Sequence, residues 1–333
     1  MVINTVILAC VMPVSKKAAR QLMIEKQLVE SFPKKVGKEH IYDIVDALGC
    51  LQIDTINVVE RAQFLTLWSR LGVYDKEHLR SLAYKDRRLF EHLAHATCYI
   101  PFKDYRFYLR SMEVRRREIR ERFARRSKVD PTILDKVLHR VTDEGPLSSK
   151  DFEGEKKKGG WWNWKPAKIA LEYLLGAGLL HVHHRENFQK YYDLADNVIP
   201  PDVDTTEPSD VERVRFFSLR TLRALGLVKP QELRKYFFNW SIKLNWTSKQ
   251  LQDLMNELVA EGEVEKHSLE GEKNPYYCLP EDSERLQEFE EGSLGFDDVR
   301  LHTYFDNLLW NRERVEEFFG FTPKLENNQR RLC

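Results

Sequence analysis

Gln52-Ile53-Asp54 is the stretch of this chain whose residue types and spacing can do chemistry. On a strand, positions two apart share a face, so the Gln52 amide and the Asp54 carboxylate point one way while Leu51 and Ile53 turn into an apolar backing. An ionised carboxylate can stabilise a developing cation or take a proton from water, and an amide beside it can orient that water. The competing duty for Asp54 is to cap the helix that follows. Asn57 with Glu60 three residues on already makes a capping pair, which leaves Asp54 without that task.

The other candidates are weaker. His92 and His95 lie three apart on a predicted helix over 87–95, where a core or groove role competes with substrate contact. Arg61, Arg115, Arg116 and the glycine-flanked Lys156-Lys157-Lys158 are candidates for phosphate contact. Glu113/Arg117, Glu118/Arg122 and Glu121/Arg125 are also spaced as pairs that stabilise a solvated helix. Trp161, with Trp162 and Trp164, can stack on bases or cover a core. His181, His183 and His184 alternate on a strand without nearby cysteine or acid clusters, and the cysteines are scattered with no C-x-x-C. No metal, disulfide framework or cofactor is therefore expected, and neither a glycine-rich phosphate loop nor a nucleophile elbow is present.

The elements that must position Gln52 and Asp54 are mostly helices. Helices are predicted over 15–29, 38–48, 57–71, 75–82, 104–126, 131–141, 166–176, 210–225, 230–238 and 247–260, with strand pairs over 179–193 and 264–279. Gly49, Gly178 and Gly262 each end a helix and open an alternating strand, 129 and then 84 residues apart. The repeat reads as three tandem winged helix-turn-helix units in a mainly α fold with small β-hairpins. The boundaries are 13–128, carrying the Gln-Ile-Asp stretch, 129–208 and 209–280, followed by an acidic linker and tail over 281–333.

A net charge of +1 on 333 residues decides nothing about nucleic acid, but the distribution is uneven. Residues 103–128 carry eleven Lys/Arg against four Asp/Glu, and residues 281–300 carry eight Asp/Glu against two Arg. Hydrophobic content of 42% supports ordinary cores. The apolar start, Met1 to Val11, is too short to span a bilayer and lacks a basic n-region, and no other stretch reaches that length. The expected setting is the cytoplasm with its DNA (the nucleus in a eukaryote), and the expected state is a monomer without membrane contact.

Leu51–Ala62, continuing to Leu67-Trp68-Ser69-Arg70-Leu71-Gly72, resembles the signature of the YcaQ-type winged-helix DNA glycosylases, whose superfamily includes the AlkZ type. Glu91–Ala96, Gly159–Lys168, Tyr192-Asp193-Leu194, Tyr276–Pro280 and Phe305-Asp306-Asn307-Leu308 extend the resemblance over roughly residues 14 to 326. It implies three tandem winged helices, excision of alkylated bases from double-stranded DNA and, as in several members, unhooking of interstrand crosslinks. It also makes Gln52 and Asp54 the catalytic pair, in the Gln-apolar-Asp form of the motif. Relatives continue past the equivalent of Gly320-Phe321 into a β-rich C-terminal domain, and Tyr304 stands where a proline is commoner. The alternative is a non-catalytic winged-helix regulator that uses the same residues to line a groove.

Overall fold

The computed structural model describes residues 13–28, 32–152, 166–238, 246–292 and 299–322. Helix α1 (Lys16–Glu25) is capped by the Ser15 hydroxyl, and α2 (Lys38–Leu48) buries Ile41, Ile44, Val45 and Leu48 along one face. Each such burial contributes about 1.5–3 kcal/mol. Gly49 ends α2 with φ 79°, a conformation open to glycine but costly to a side chain, and this turns the chain into β1 (Leu51–Gln52). Helices α3 (Ala62–Leu71) and α4 (Lys76–Tyr84) follow, then a hairpin of β2 (Leu89–Leu93) and β3 (Thr97–Pro101). The three strands form one antiparallel sheet in the order β1-β3-β2.

The same order of elements returns twice. After a 3₁₀ turn (Phe102–Tyr108), α5 (Leu109–Arg117) and α6 (Ile119–Ser127), helix α7 (Thr132–Glu144) ends at Gly145 and leads into β4 (Leu147–Ser148). Helix α8 (Pro166–Gly176) and the hairpin β5 (Leu180–Glu186) and β6 (Gln189–Leu194) complete a sheet ordered β4-β6-β5. A short α9 (Ala195–Val198) leads on to α10 (Asp210–Leu225), which ends at Gly226. Then come α11 (Pro230–Leu233), α12 (Ser248–Ala260) and the hairpin β7 (Glu265–His267) and β8 (Tyr276–Cys278). Val228 bridges Tyr277 through reciprocal backbone bonds of 2.9 and 2.8 Å, in the place of a first strand.

This topology corrects the phase of the repeat. Gly49 and β1 correspond to Gly145 and β4 and to Gly226 and Val228, with φ of 79°, 85° and 73° at the three glycines. Gly178 and Gly262 open the second strand of their sheets, not the first. A helix, a glycine and an alternating strand occur in both positions, so the pattern reveals that something repeats without fixing which strand it opens. The first copy has a hairpin return, β2–β3, beyond the strand pairs expected over 179–193 and 264–279, and it arrives after two helices.

Three further expectations change. The predicted helix over 87–95 is strand β2, because Phe90 and Leu89 face Ile100 and Pro101 across the hairpin. The predicted helix over 104–126 breaks at Glu118, although Glu113–Arg117 and Glu118–Arg122 do pair at 2.6 and 2.9 Å. The acidic linker is, over Pro280–Glu290, helix α13, whose Leu286 and Phe289 pack on α1 while Lys26 reaches Asp282 at 2.6 Å. Proline at its first turn and an apolar stripe outweigh the negative charge. A further helix, α14 (Arg312–Phe319), joins the same cluster through Phe318, with Phe319 packed against it.

Candidate active site

Leu51 is fully buried and Ile53 is 8% exposed, while Gln52 and Asp54 are half-buried on the other side, as period-2 alternation requires. Gln52 lies opposite Cys98 in the sheet, and the Ile53 N–H donates to the Thr97 carbonyl at 2.8 Å. This pairing brings the β2–β3 turn beside the motif. His95, in that turn, places Nε2 3.0 Å from Gln52 Oε1. An amide oxygen only accepts, so Nε2 carries the hydrogen in this pair. The His95 ring also stacks on Trp310, with centroids 4.4 Å apart and planes 5° from parallel.

Asp54 is not free of local duties. Its Oδ1 accepts from the Ile56 N–H at 2.6 Å, and its own N–H donates to Oε1 of buried Gln63 at 3.1 Å. The expected helix from Asn57 is absent: residues 54–61 form a loop and α3 starts at Ala62. Thr55, Ile56, Val58 and Val59 are β-branched and lose rotamer freedom in a helix, while the Asp54 side chain offers the backbone a competing turn. Glu60 accepts from the Arg61 N–H and pairs with Lys76, leaving the predicted capping pair unmade. Ile56, Val58 and Val59 are 58%, 83% and 88% exposed, so an apolar loop leads directly away from Asp54.

The remaining candidates scatter. His92 and His95 do not share a face; His92 is buried, and burial, then Arg115 and His181, hold its imidazole well below the ordinary value. It lines a cleft with Glu91, Thr97, Arg115, Glu172 and Lys190. Arg115 lies against Gly176, and Arg116 donates to the Ala177 and Gly178 carbonyls at 3.2 and 3.3 Å, which occupies it at the end of α8. The Arg61 guanidinium sits 4.0 Å above the Phe188 ring at the β5–β6 turn, so that hairpin tip borders the 54–61 loop. Lys156, Lys157, Lys158 and Trp161 lie outside the described residues.

Several residues at or behind the site gave no signal of function in the sequence. Glu91 takes two bonds of 2.6 Å from Arg185 and one of 2.6 Å from the Tyr84 hydroxyl, which locks the first hairpin to β5. Burial pushes this carboxyl up, but Arg185 outweighs it and holds it below its usual range. Cys50 and Cys98, both fully buried, meet beside His95; the Cys98 thiol and the His95 ring pull the Cys50 thiol down, against burial. The His95-x-x-Cys98 spacing was the one local hint of this meeting.

The three histidines of β5 do not converge. His183 and His184 contact each other at 2.8 Å between Nδ1 atoms, and His184 stacks on Tyr191. His181 is buried with Nε2 3.0 Å from the Tyr105 hydroxyl and Nδ1 without a partner. Burial, helped by Arg87, pushes its imidazole down to about 4. An unfolded chain has an ordinary histidine near 6.5 and takes up the proton first, so this stabilisation is complete above that value and is lost as pH falls toward 4. The prediction is that His181 accounts for about 2 kcal/mol of stability lost between about pH 7 and about pH 5. Urea midpoints of the wild type and His181→Gln at both pH values test it; an equal drop in both refutes it.

Among the described residues no helix is long and apolar enough to cross a membrane. The fold is similar to that of the solved Streptomyces sahachiroi DNA glycosylase AlkZ, with a TM-score of 0.57 at 18% identity, covering 83% of this chain and 72% of that one. Residues 45–330 match the model of the family described as DNA glycosylase AlkZ-like. A match over that share of the chain, spanning the Gln52–Asp54 motif and the helices and hairpins that hold it, means that this protein belongs to the AlkZ-like DNA glycosylase family.

Proposed function

We propose that this protein hydrolyses the N-glycosidic bond of cationic, alkylated bases such as N7-alkylguanine in double-stranded DNA, with Asp54 and Gln52 as its catalytic pair. The observation that carries the reading is the half-exposed Gln52/Asp54 edge, braced from behind by His95 and opening onto the exposed 55–59 loop. Alkylation at a ring nitrogen makes the base a good leaving group, so little general-acid help is needed. The bond breaks toward an oxocarbenium-like sugar. Asp54, whose turn bond uses only Oδ1, stabilises that cation and deprotonates the attacking water. Gln52, its carbonyl held by His95, offers amide N–H donors to the water or the sugar. Water is the nucleophile, which makes the enzyme monofunctional.

The DNA-facing framework in this proposal is three winged-helix units over 13–128, 129–208 and 209–280. The threefold recurrence of helix, glycine, first strand, helices and hairpin supports it. An edge site, in place of a closed pocket, also suits a crosslinked base, which is tied to both strands and cannot swing out freely. The test is release of 7-methylguanine from methylated duplex DNA by the intact chain, followed by a nitrogen-mustard crosslinked duplex. Release well above the spontaneous rate is expected on the first substrate. No release above that rate refutes glycosylase chemistry on this lesion, and inactivity on the second alone removes unhooking.

A further inference from the structure

We infer that Cys50, Cys98 and His95 form a zinc site directly behind Gln52. The two Sγ atoms and one His95 nitrogen all lie within 4.8 Å of one another, and Cys50 Sγ is 3.8 Å from His95 Nδ1. Ligands of a tetrahedral zinc stand about 3.5–3.8 Å apart, given zinc–sulfur and zinc–nitrogen bonds of about 2.3 and 2.0 Å. The trio therefore needs to close by roughly an ångström. Both thiols are fully buried, and the ring that supplies the third donor is held by the Trp310 stack. The backbone presets the arrangement: Cys50 follows the Gly49 turn, Cys98 sits in β3 opposite Gln52, and His95 lies in the turn between β2 and β3.

The donor set selects the metal. Two sulfurs and an imidazole with no carboxylate suit a borderline-soft ion such as Zn²⁺ and suit Ca²⁺ or Mg²⁺ poorly. Binding releases both thiol protons to solvent, and a water completes the tetrahedron. A zinc-bound histidine ordinarily donates its other N–H to an acceptor, which fixes ring and tautomer. Here Nδ1 faces Cys50 Sγ at 3.8 Å and Nε2 faces Gln52 Oε1 at 3.0 Å, so the same ion fixes the donor that orients the Gln52 amide. That last consequence rests on Gln52 being catalytic; the metal site itself does not.

The experiment measures metal, so its outcome is separate from base release. The full chain is purified without chelator, passed through gel filtration and analysed for zinc; about one equivalent per chain is expected. Cys98→Ser and Cys50→Ser should each fall to about a tenth of that or less. Because either variant can fold poorly, the wild type is also stripped with chelator and titrated with Co²⁺. A thiolate-to-cobalt charge-transfer band that saturates near one equivalent supports the site. Less than about a tenth of an equivalent of zinc together with no cobalt band in the wild type overturns it, as does zinc retained in full by both folded variants.

Discussion

Asp54→Asn is expected to keep duplex binding and to lose on the order of 10²-fold or more in the rate of base release. The substitution is informative because of where the carboxylate sits. Oδ1 accepts the Ile56 N–H, and an asparagine carbonyl can accept the same bond, so the turn and the exposed 55–59 loop survive. The Asp54 N–H bond to Gln63 is a backbone bond and is untouched. What disappears is the negative charge that the proposed mechanism sets beside the sugar and uses as a base for the water, neither of which an amide supplies. Single-turnover release of 7-methylguanine measures the loss, with anisotropy of a labelled duplex as the binding control. Equal rates for variant and wild type sink the assignment. A variant that loses binding in parallel places Asp54 in the DNA grip instead.

The alternation of Leu51 to Asp54 was legible in the sequence because its logic is local. Leu51, Gln52, Ile53 and Asp54 alternate, and alternation on a short strand with a buried backing dictates which side chains emerge. The loop after it carries a helical pattern for an equally local reason. Val58, Ala62, Leu65 and Val59 fall at helical spacing, yet Val58 and Val59 find no core to meet and stand exposed. His92 and His95 show the cost of a wrong period: helical spacing would put them on one face, whereas a strand and its turn send one into the core and the other to Gln52. The contacts that brace the site were out of reach. His95 on Trp310, Glu91 on Arg185 and Cys50 on Cys98 are contacts between distant positions, and beyond the His95-x-x-Cys98 spacing no single-sequence pattern marks them. The repeat was visible while its phase was not, since in the second and third copies glycine stops precede both the first and the second strand position.

Asp306 gives the second large effect, this time on stability. Its carboxylate meets Arg70 through bonds of 2.7 and 3.0 Å, with both side chains fully buried, and His302 lies 3.3 Å away. Arg70 also donates to the Thr66 carbonyl and to Gln27, so one guanidinium joins α3, the end of α1 and the segment before α14. Burial pushes the Asp306 carboxyl up, but Arg70 and His302 outweigh it and hold it well below the usual carboxylate range. A depressed carboxyl contributes stability above its unfolded value of about 4, and that contribution is lost as pH falls below it. Asp306→Ala leaves a buried guanidinium without its counter-charge and is expected to cost about 3–5 kcal/mol near neutral pH, read as a lowered urea midpoint. Asp86→Ala is the control, since its pair with Lys38 is partly exposed and should cost no more than about 1 kcal/mol. Replacing both partners, as Arg70→Met with Asp306→Leu, should cost less than Asp306→Ala alone, because no buried charge is then left over. A loss no larger than the Asp86 control would mean that Arg70 finds other partners. The same short segment places Asn307 on the Leu48 carbonyl, at the exit of α2, and Trp310 on His95. Weakening the Arg70–Asp306 pair should therefore slow base release even at temperatures where the chain stays folded, which separates a buttress of the site from a rivet elsewhere in the core.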